Sequence, residues 1–454
     1  MRRGSLFLAA ALVTASADAN GRFPAASHVV VGPGRASDVI ALRVTFGLLV
    51  SYDAGRSFRW LCEDAMYWPV VVGGNVDPAV ELLSDGTTAV GFEAGINMVR
   101  RGGCRVDPLG GSMGRVVADL TTDPAGMTLL GIESNPGTLN HVLRASAGGG
   151  ALEPLGPGVI NVDFLSLEVA PSRPSRVYLT GRDARTRAPR VYRSDDGGSM
   201  VTRVEAPFPM AVDEVYVSGV DPTDPDTVYF RANEGAGSAL YRSTDGGSRV
   251  TRVATTTGPM YGFALSDDGR RVWYGSLEDG LFRSDDRGEG FSRVNRLEVL
   301  CLRHHAGQLY ACSNWLTGFA LGRSGDGGGS FTSLLRFEDL GGPLDCRDGN
   351  MGHQYCVERW DVLQTMLATV PRDAGARDAA APGDASARDA ATTPDAPAAL
   401  DSGAVDASPR VNPAAPPGPC QCRAPGATPR STGFLPLLAW ALALRRRVRR
   451  GSGG

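Results

Sequence analysis

The chain of 454 residues contains no lysine, so all 46 of its basic residues are arginine. This excludes a Walker-A lysine, a Schiff-base lysine and a kinase-type lysine, and with them the common phosphate and pyridoxal chemistries. Histidine is scarce: the chain has five, none four residues from another as helical zinc ligands would be, and HExxH is absent. A formal net charge of −3 leaves no basic surface for nucleic acid. We therefore expect no cofactor, no metal and no nucleic-acid partner.

Residues 1–19 have the three parts of a secretory signal peptide. Two arginines precede an apolar run from Leu6 to Val13, and Ala17-Asp18-Ala19 fits the cleavage site. The sequence therefore predicts export, which permits disulfide bonds among the eight cysteines.

A short repeat, Ser-x-Asp-x-Gly-x-x-apolar, occurs in five intact copies. Its last four aspartates lie 49, 41 and 40 residues apart. Two degenerate copies, at 99–106 and 143–155, lie in the longer interval between the first intact copy and the second. Seven units of 40 to 50 residues are typical of propeller blades. The intact copies are Ser51/Asp53/Gly55/Phe58, Ser194/Asp196/Gly198/Val201, Ser243/Asp245/Gly247/Val250, Ser284/Asp286/Gly288/Phe291 and Ser324/Asp326/Gly328/Phe331.

Each unit also carries four short runs rich in β-branched and aromatic residues, separated by Asp, Pro and Gly. In the fifth unit these are residues 214–220, 227–230, 239–242 and 250–253. We therefore predict an all-β fold, a seven-bladed β-propeller with four-stranded antiparallel blades, over residues 20–336. Every unit keeps its fourth strand in sequence, so ring closure is expected to depend on packing of blade 7 against blade 1.

The repeat resembles the Asp-box, or BNR repeat, of sialidases, sortilin-type receptors, xyloglucanase-type hydrolases and photosystem II assembly factors. The resemblance runs from His28 to about Leu335, and in that family the repeats lie on the blade periphery, away from any active centre. An aspartate that binds backbone N–H groups two residues on, and a glycine that supplies positive φ, suit a tight turn. The apolar residue at the eighth position is expected to fold back onto the sheet. We therefore expect the repeat residues to be structural, neither metal ligands nor catalytic acids.

The sequence offers no identifiable catalytic set. Arg22-Phe23-Pro24 resembles the sialidase Arg-Ile-Pro motif, but it lies just after the expected cleavage site and lacks the strand context. The repeat explains many other arginines, which precede its serines (Arg193, Arg242, Arg283 and Arg323). We predict a non-enzymatic ligand-binding or assembly module. The alternative is a carbohydrate-active enzyme, a glycoside hydrolase or lyase, with carboxylates at the propeller axis.

Six cysteines are candidates for disulfide bonds. If Ala306-Gly307 is a two-residue turn, Cys301 lies directly opposite Cys312, close enough to be bridged. His304 and His305 would then be solvated turn residues. A local pair is expected between Cys346 and Cys356, which leaves Cys62 and Cys104 to each other by elimination.

Residues 337–370 are expected to cap the propeller. Within 356–368, Val357, Trp360, Leu363 and Leu367 share one face at helical spacing, which predicts a short amphipathic helix. From 371 to 419 the chain consists mainly of Ala, Asp, Pro, Ser and Arg, a composition that predicts a disordered linker.

Residues 420–454 contain Cys420-Gln421-Cys422, an apolar run from Gly433 to Leu444 that predicts a short hydrophobic helix, and five arginines within six residues. This order resembles the MYXO-CTERM sorting tail of myxobacterial surface proteins. The resemblance implies cleavage near the cysteines, lipid on Cys420 or Cys422, and tethering at the cell surface or outer membrane. We thus expect an exported monomer whose tail interacts with the membrane and whose partner is a surface glycan or protein.

Overall fold

The computed structural model describes residues 24–67, 77–346 and 351–369. The predicted signal peptide, linker and sorting tail, with Cys420 and Cys422, lie outside the described residues. Within the described ranges the chain forms seven antiparallel sheets, each of four strands consecutive in sequence. The seven-bladed β-propeller is therefore confirmed, and no strand of these sheets is exchanged between the first blade and the last.

Each sheet is one blade. In blades 1 to 4 the strands are β1 (Ala26–Val31), β2 (Ile40–Val44), β3 (Gly47–Ser51), β4 (Arg59–Leu61); β5 (Ala79–Leu82), β6 (Thr88–Phe92), β7 (Gly95–Val99), β8 (Val106–Pro108); β9 (Val117–Thr122), β10 (Thr128–Glu133), β11 (Leu139–Ser146), β12 (Glu153–Ile160); β13 (Val162–Val169), β14 (Val177–Asp183), β15 (Pro189–Ser194), β16 (Thr202–Val204).

In blades 5 to 7 they are β17 (Val212–Val220), β18 (Val228–Glu234), β19 (Gly237–Ser243), β20 (Thr251–Thr256); β21 (Met260–Leu265), β22 (Val272–Ser276), β23 (Gly280–Ser284), β24 (Ser292–Asn295); β25 (Val299–His305), β26 (Gln308–Ser313), β27 (Leu321–Ser324), β28 (Thr332–Leu335). The first strand of each blade contacts the first strand of the next, from β1 around to β25 and back to β1. These seven strands therefore line the central channel.

The core consists of apolar clusters between neighbouring blades. Tyr178 and Val191 of blade 4, for example, pack against Val215 and Phe230 of blade 5. Fully burying one such side chain stabilises the fold by about 1.5–3 kcal/mol. The largest cluster joins blades 7, 1 and 2 to the segment that follows the last blade.

That segment, residues 337–346 and 351–369, is here called the closing strap. Its residues 342–344 pair with Trp60 of β4: the Trp60 N–H donates to Gly342 at 2.9 Å, and the Leu344 N–H donates to Trp60 at 3.0 Å. Blade 7 also reaches blade 1 directly, since Trp315 Nε1 donates to the Pro24 carbonyl at 2.8 Å. The ring is therefore closed by the strap as well as by the expected packing of blade 7 on blade 1.

Two disulfides fasten the strap, and they correct the expected pairing. Cys356 is bonded to Cys62 and Cys346 to Cys104, whereas a local Cys346–Cys356 pair and a Cys62–Cys104 pair were expected. The expectation was wrong because the strap crosses from blade 7 to blades 1 and 2. This route brings each strap cysteine beside a cysteine more than two hundred residues earlier.

The strap contains helix α2 (Met351–Thr369), and helix α1 (Glu63–Tyr67) follows β4. Leu363 and Leu367 are buried as expected, but Val357 is 61% exposed. The expected face was wrong at this position because the disulfide turns Cys356 inward, which directs the next side chain to solvent. Neither helix in the described part of the chain is long and apolar enough to cross a membrane.

Candidate functional site

The propeller has two different ends. At one end, here called the loop face, the first and third strands begin and the second and fourth strands end. At the opposite end, here called the repeat face, each intact repeat connects a third strand to a fourth. The two ends therefore present different parts of every blade.

All five repeats form the same closed turn. The serine Oγ accepts the glycine N–H at 2.8 or 2.9 Å in each copy. The aspartate Oδ1 accepts the backbone N–H four residues later at 2.8 to 3.0 Å. The expected reach of two residues was therefore wrong for aspartate, because the turn carries that N–H inward only at the fourth position. The serines are Ser51, Ser194, Ser243, Ser284 and Ser324, and the aspartates are Asp53, Asp196, Asp245, Asp286 and Asp326.

The repeat glycines have a second role besides the expected positive φ. An added Cβ would collide with the preceding blade most closely at Gly198, 2.6 Å from Val142, and at Gly328, 2.6 Å from Leu281. Glycine is therefore needed here for the space that a side chain would fill as well as for its φ. The φ values are 86° at Gly55, 100° at Gly198, 92° at Gly247, 81° at Gly288 and 98° at Gly328.

The repeat phenylalanines fold back onto the propeller as expected, but they are buried to different depths. Phe58 is buried as expected, at 4% exposure. Phe291 and Phe331 are only partly buried. Their rings contact their own blades at the rim, Phe291 with its centroid 4.9 Å from that of Tyr274 and Phe331 5.8 Å from Phe319. These contacts are packing contacts within the fold.

The intact turns of blades 5, 6 and 7 also accept hydrogen bonds from the preceding blade. Tyr229 of blade 5 donates its hydroxyl to the Arg287 carbonyl in the turn of blade 6 at 2.7 Å. Trp273 Nε1 of blade 6 donates to the Gly327 carbonyl in the turn of blade 7 at 2.9 Å. Three arginines that precede repeat serines make similar bonds, Arg193 to Gly246, Arg242 to Arg287 and Arg283 to Gly327. We call these contacts interblade latches.

Three carboxylates from successive first strands share the channel: Glu81 of β5, Asp119 of β9 and Glu168 of β13. Their charges interact, since the charges of Glu81 and Asp119 help raise the pKa of Glu168. Burial is the main cause of raised pKa values at all three, to about 7 at Asp119 and about 8 at Glu168. We call this group the axial carboxylates.

Cations face the axial carboxylates from blades 7 and 1. Arg303 of β25 opposes the rise in pKa at Glu81 and Glu168, and Arg43 of β2 does so at Asp119. His28 of β1 has its pKa lowered to about 3, first by burial and then by these two arginines, so it is neutral at ordinary pH. The channel thus contains both signs of charge.

The axial carboxylates also hold blades together. Asp119 accepts the N–H of Leu167 in the next blade at 3.1 Å, and Glu168 accepts the Thr121 hydroxyl of the preceding blade at 3.1 Å. With raised pKa values, one group of this kind can donate a proton while a neighbour accepts one. The axial carboxylates therefore connect neighbouring blades, and their raised pKa values would also suit acid–base chemistry.

At the loop face of blade 3, a buried carboxylate contacts an arginine and a histidine. Glu133, 2% exposed, lies 2.7 Å from Arg115 NH1 and 2.7 Å from His141 Nδ1. The His141 N–H also donates to it, at 3.0 Å. This carboxylate is therefore fully engaged within the protein.

A second polar group lies at the loop face of blades 4 and 5. Glu214 accepts from Arg182 NH1 at 2.5 Å, from the Tyr216 hydroxyl at 2.8 Å and from Asn233 Nδ2 at 3.2 Å. Arg231 is aligned opposite Tyr216 in the β17–β18 register, with its guanidinium carbon 4.5 Å from the ring centre. Aromatic and cationic groups thus meet at the channel mouth.

The loop face also exposes large apolar side chains between blades 2 and 6. Met210 is completely exposed and Tyr261 is 45% exposed. The set consists of Met113, Leu139, Ile160, Met210 and Tyr261. Exposed apolar groups near polar ones are typical of interaction surfaces.

Two smaller features are poor candidates for sites. A cavity of about 30 Å³, between blades 3 and 4 and lined by Ile132, Val142 and Phe164 among others, has room for about one water. Cys104, Cys346 and His353 place ligand atoms within 4.8 Å of one another. The two sulfurs are joined as a disulfide, so they are not thiolate ligands.

The hairpin of blade 7 has the predicted register, with Cys301 opposite Cys312 and the two joined as a disulfide. His304 was wrongly expected to be solvated. Its side chain is only 7% exposed because the ring stacks on Trp273, with centroids 5.5 Å apart.

Sequence reasoning did not identify the axial carboxylates or Arg231. The available signal was an acid within each of three apolar runs, AVEL, VADL and LSLEV, that become first strands. Arg231 had no comparable signal, because its partner Tyr216 is known only from the strand register.

Comparison with known proteins adds structural likenesses alone. No protein-family model and no curated protein matches the chain. The GH74 enzyme of Niastella koreensis is similar at 16% identity over 67% of this chain and 62% of that chain, with a TM-score of 0.34. The GH74 xyloglucanase of Xanthomonas campestris is similar at 16% identity over 67% of this chain and 63% of that chain, with a TM-score of 0.35. An ancestral GH74 enzyme is similar at 13% identity over 70% of this chain and 55% of that chain, with a TM-score of 0.47. The chain thus spans less than two thirds of each, and the likeness concerns the fold.

Proposed function

We propose that this protein is an exported, surface-tethered β-propeller that binds a glycan or a protein at its loop face and has no catalytic activity of its own. The observation that carries the proposal is the exposure of Met210, Tyr261 and their neighbours around an arginine-containing mouth. At the repeat face, by contrast, the intact turns bind their own backbone, and those of blades 5 to 7 also bind the preceding blade. Met127 and Met200 are exposed at the repeat face as well, but the loop face has more such side chains and adds Arg231 beside Tyr216, so we take it as the binding face.

The second candidate function is a carbohydrate-active enzyme, and the axial carboxylates favour it. Glu168, with its pKa raised to about 8, would be protonated at neutral pH, and Asp119 titrates near neutrality. Glycoside hydrolysis uses such a pair, one carboxyl group as acid and the other as base or nucleophile. Both groups also bind neighbouring blades, which favours a structural role over turnover.

A screen of the purified protein against bacterial and plant polysaccharides, scoring retention and product release together, separates these functions. Retention without product is the expected result. Product release that is lost in Glu168→Gln would overturn the binding-module proposal in favour of the enzyme. If no polysaccharide is retained, cross-linking at the intact cell surface tests for a protein partner instead, and absence of any cross-linked product would reject the proposal.

We also propose that the repeats belong to the Asp-box class and that the C-terminal segment is a sorting tail. The support is the repeat pattern with its closed turns and the order of cysteines, apolar run and arginines after residue 420. Surface labelling of intact cells should detect the protein. Replacing Cys420 and Cys422 by serine should release it into the medium, and unchanged surface labelling would contradict the tethering proposal.

A further inference from the structure

Arg231 is a cation without a carboxylate partner at the channel mouth. Among the described residues, no carboxylate oxygen lies within 4.0 Å of a guanidinium nitrogen of Arg231, the distance that defines an ion pair. Arg231 NH1 donates a hydrogen bond to the Met260 carbonyl at 2.7 Å. The nearby carboxylate, Glu214, is occupied by Arg182, Tyr216 and Asn233. Most of the N–H groups of this guanidinium therefore lack a protein acceptor.

The surroundings of Arg231 favour an external anion. Burial is the main cause of its lowered pKa, and the nearby charge of Glu214 offsets this only in part, so the charged form is poorly solvated. None of its unbonded nitrogens is sealed from solvent, whereas Arg182 Nε nearby is enclosed without an acceptor. An anion that reached the mouth would replace lost hydration without first displacing a carboxylate.

The shape of the group selects a planar anion. The Tyr216 ring covers one face of the guanidinium, so an anion must approach along the free edge. A carboxylate matches a guanidinium edge with two parallel hydrogen bonds, a geometry that is stronger and more specific than a single contact.

Tyr261 supplies a flat apolar surface beside this cation. It directly follows Met260, whose carbonyl binds Arg231, it is 45% exposed, and its phenol interacts electrostatically with Arg231. A pyranose ring has a face of C–H groups that packs on an aromatic ring, and binding sites commonly combine such rings with a few polar groups.

We propose that Arg231 and Tyr261 form a subsite for a uronic acid residue of an acidic polysaccharide. The sugar carboxylate binds the free guanidinium edge, and the C–H face of the ring packs on Tyr261. The inference rests on the proposed binding function and names its ligand class. A polypeptide carboxylate would use Arg231 but would not require the Tyr261 platform.

The test compares polygalacturonate with its methyl ester, which has the same backbone without the charge. At about 0.05 M salt, where charge contacts are weakly screened, we expect the purified protein to bind the acid form about tenfold more tightly. Arg231→Gln should remove that preference, so that the acid form and the ester bind equally. Arg252→Gln, on the outer strand of the same blade, is the matched control and should behave as wild type.

Tyr261→Ala tests the packing of the sugar ring on Tyr261, and because this side chain is exposed its loss should not disturb the fold. It should weaken binding of both the acid form and the ester about tenfold. Equal binding of acid and ester by the wild type would overturn the inference while leaving the binding module intact. Failure to bind any polysaccharide in the wider panel would remove the glycan function itself. Binding of polyglutamate as tight as that of polygalacturonate, and insensitive to Tyr261→Ala, would also overturn the inference. Melting curves of each variant show whether a loss reflects unfolding.

Discussion

At the scale of single residues, charged side chains have different tasks at the two ends of the molecule. Asp245 binds its own turn, accepting the Arg249 N–H at 2.8 Å and the Ser243 hydroxyl at 2.9 Å. Arg231, at the other end, has a single backbone acceptor. A residue whose bonds are complete contributes to stability, whereas one with free donors is suited to a ligand.

Asp245→Ala should lower the melting temperature without changing ligand binding. The substitution leaves the Arg249 N–H and the Ser243 hydroxyl without their acceptor, at a cost of about 1–3 kcal/mol. For a domain of this size we expect a fall of roughly 2–6 °C, measured by calorimetry. Asp213→Ala, an exposed position at the loop face, is the control and should melt as wild type. Lost binding with an unchanged melting temperature would contradict the structural assignment.

Glu168→Gln should make the protein less sensitive to alkaline pH. Burial raises the pKa of Glu168 to about 8, above its unfolded value of about 4.3. The folded state therefore keeps a proton that the unfolded state releases, so this stability is complete below about pH 4 and lost as pH rises to about 8. Glutamine does not ionise, and the variant should melt about 2–5 °C above wild type at pH 8–9.

Melting temperatures between pH 4 and 9 check this prediction. Glu205→Gln, with its side chain 79% exposed, is the control and should follow the wild-type curve. A Glu168→Gln curve that stays parallel to wild type at every pH would show that the proton is not held.

At the scale of strands and turns, short-range order was predictable. The β25–β26 register followed from the Ala306-Gly307 turn as far as the Cys301–Cys312 pair, because a two-residue turn sets the pairs next to it. Which face of α2 is buried could not be predicted, because the disulfide that turns Cys356 inward is made with Cys62 of another part of the fold. Periodicity alone placed Val357 on the buried side.

The interblade latches should be measurable one at a time. Tyr229→Phe removes the hydroxyl that donates to Arg287 in the next blade, and we expect a loss of about 1 kcal/mol, or roughly 2 °C. Tyr274→Phe is the matched control, because Tyr274 is equally part of a second strand and makes no hydroxyl hydrogen bond to the described residues. Equal losses in the two variants, measured by chemical denaturation, would mean that the latch contributes nothing.

At the scale of the whole molecule, the repeat period determined the number of blades, but not how the ring closes. Closure depends on the strap and on disulfides between positions 294 and 242 residues apart, for which no local pattern exists. Each axial carboxylate had a local signal, an acid within an apolar run. Their grouping was not predictable, because each comes from a different blade and only the closed ring brings their charges together.

Replacing Cys62 and Cys356 by alanine should loosen the strap selectively. The chain-entropy estimate for the lost loop constraint is roughly 4 kcal/mol, with Cys104–Cys346 still in place, so the melting temperature should fall by roughly 8 °C. Amides of α2 should exchange with solvent much faster, because the helix loses its anchor to blade 1.

Replacing Cys301 and Cys312 by alanine is the matched control. This disulfide closes a hairpin of separation 11 within blade 7, so its loss should lower stability while α2 stays protected from exchange. Similar exchange of α2 in both variants would show that the strap is held by packing alone.

The Cys62–Cys356 bond also determines how the molecule would bear a mechanical load. A pull on the chain beyond residue 369 reaches Cys356 and passes through the disulfide to the end of β4. The residues between these cysteines form a covalent loop that cannot lengthen under that pull, and blades 2 to 7 lie within it. Drag on a ligand held at the loop face would therefore tension the strap and blade 1 first, and the other six blades could not unravel in sequence from the C-terminal side.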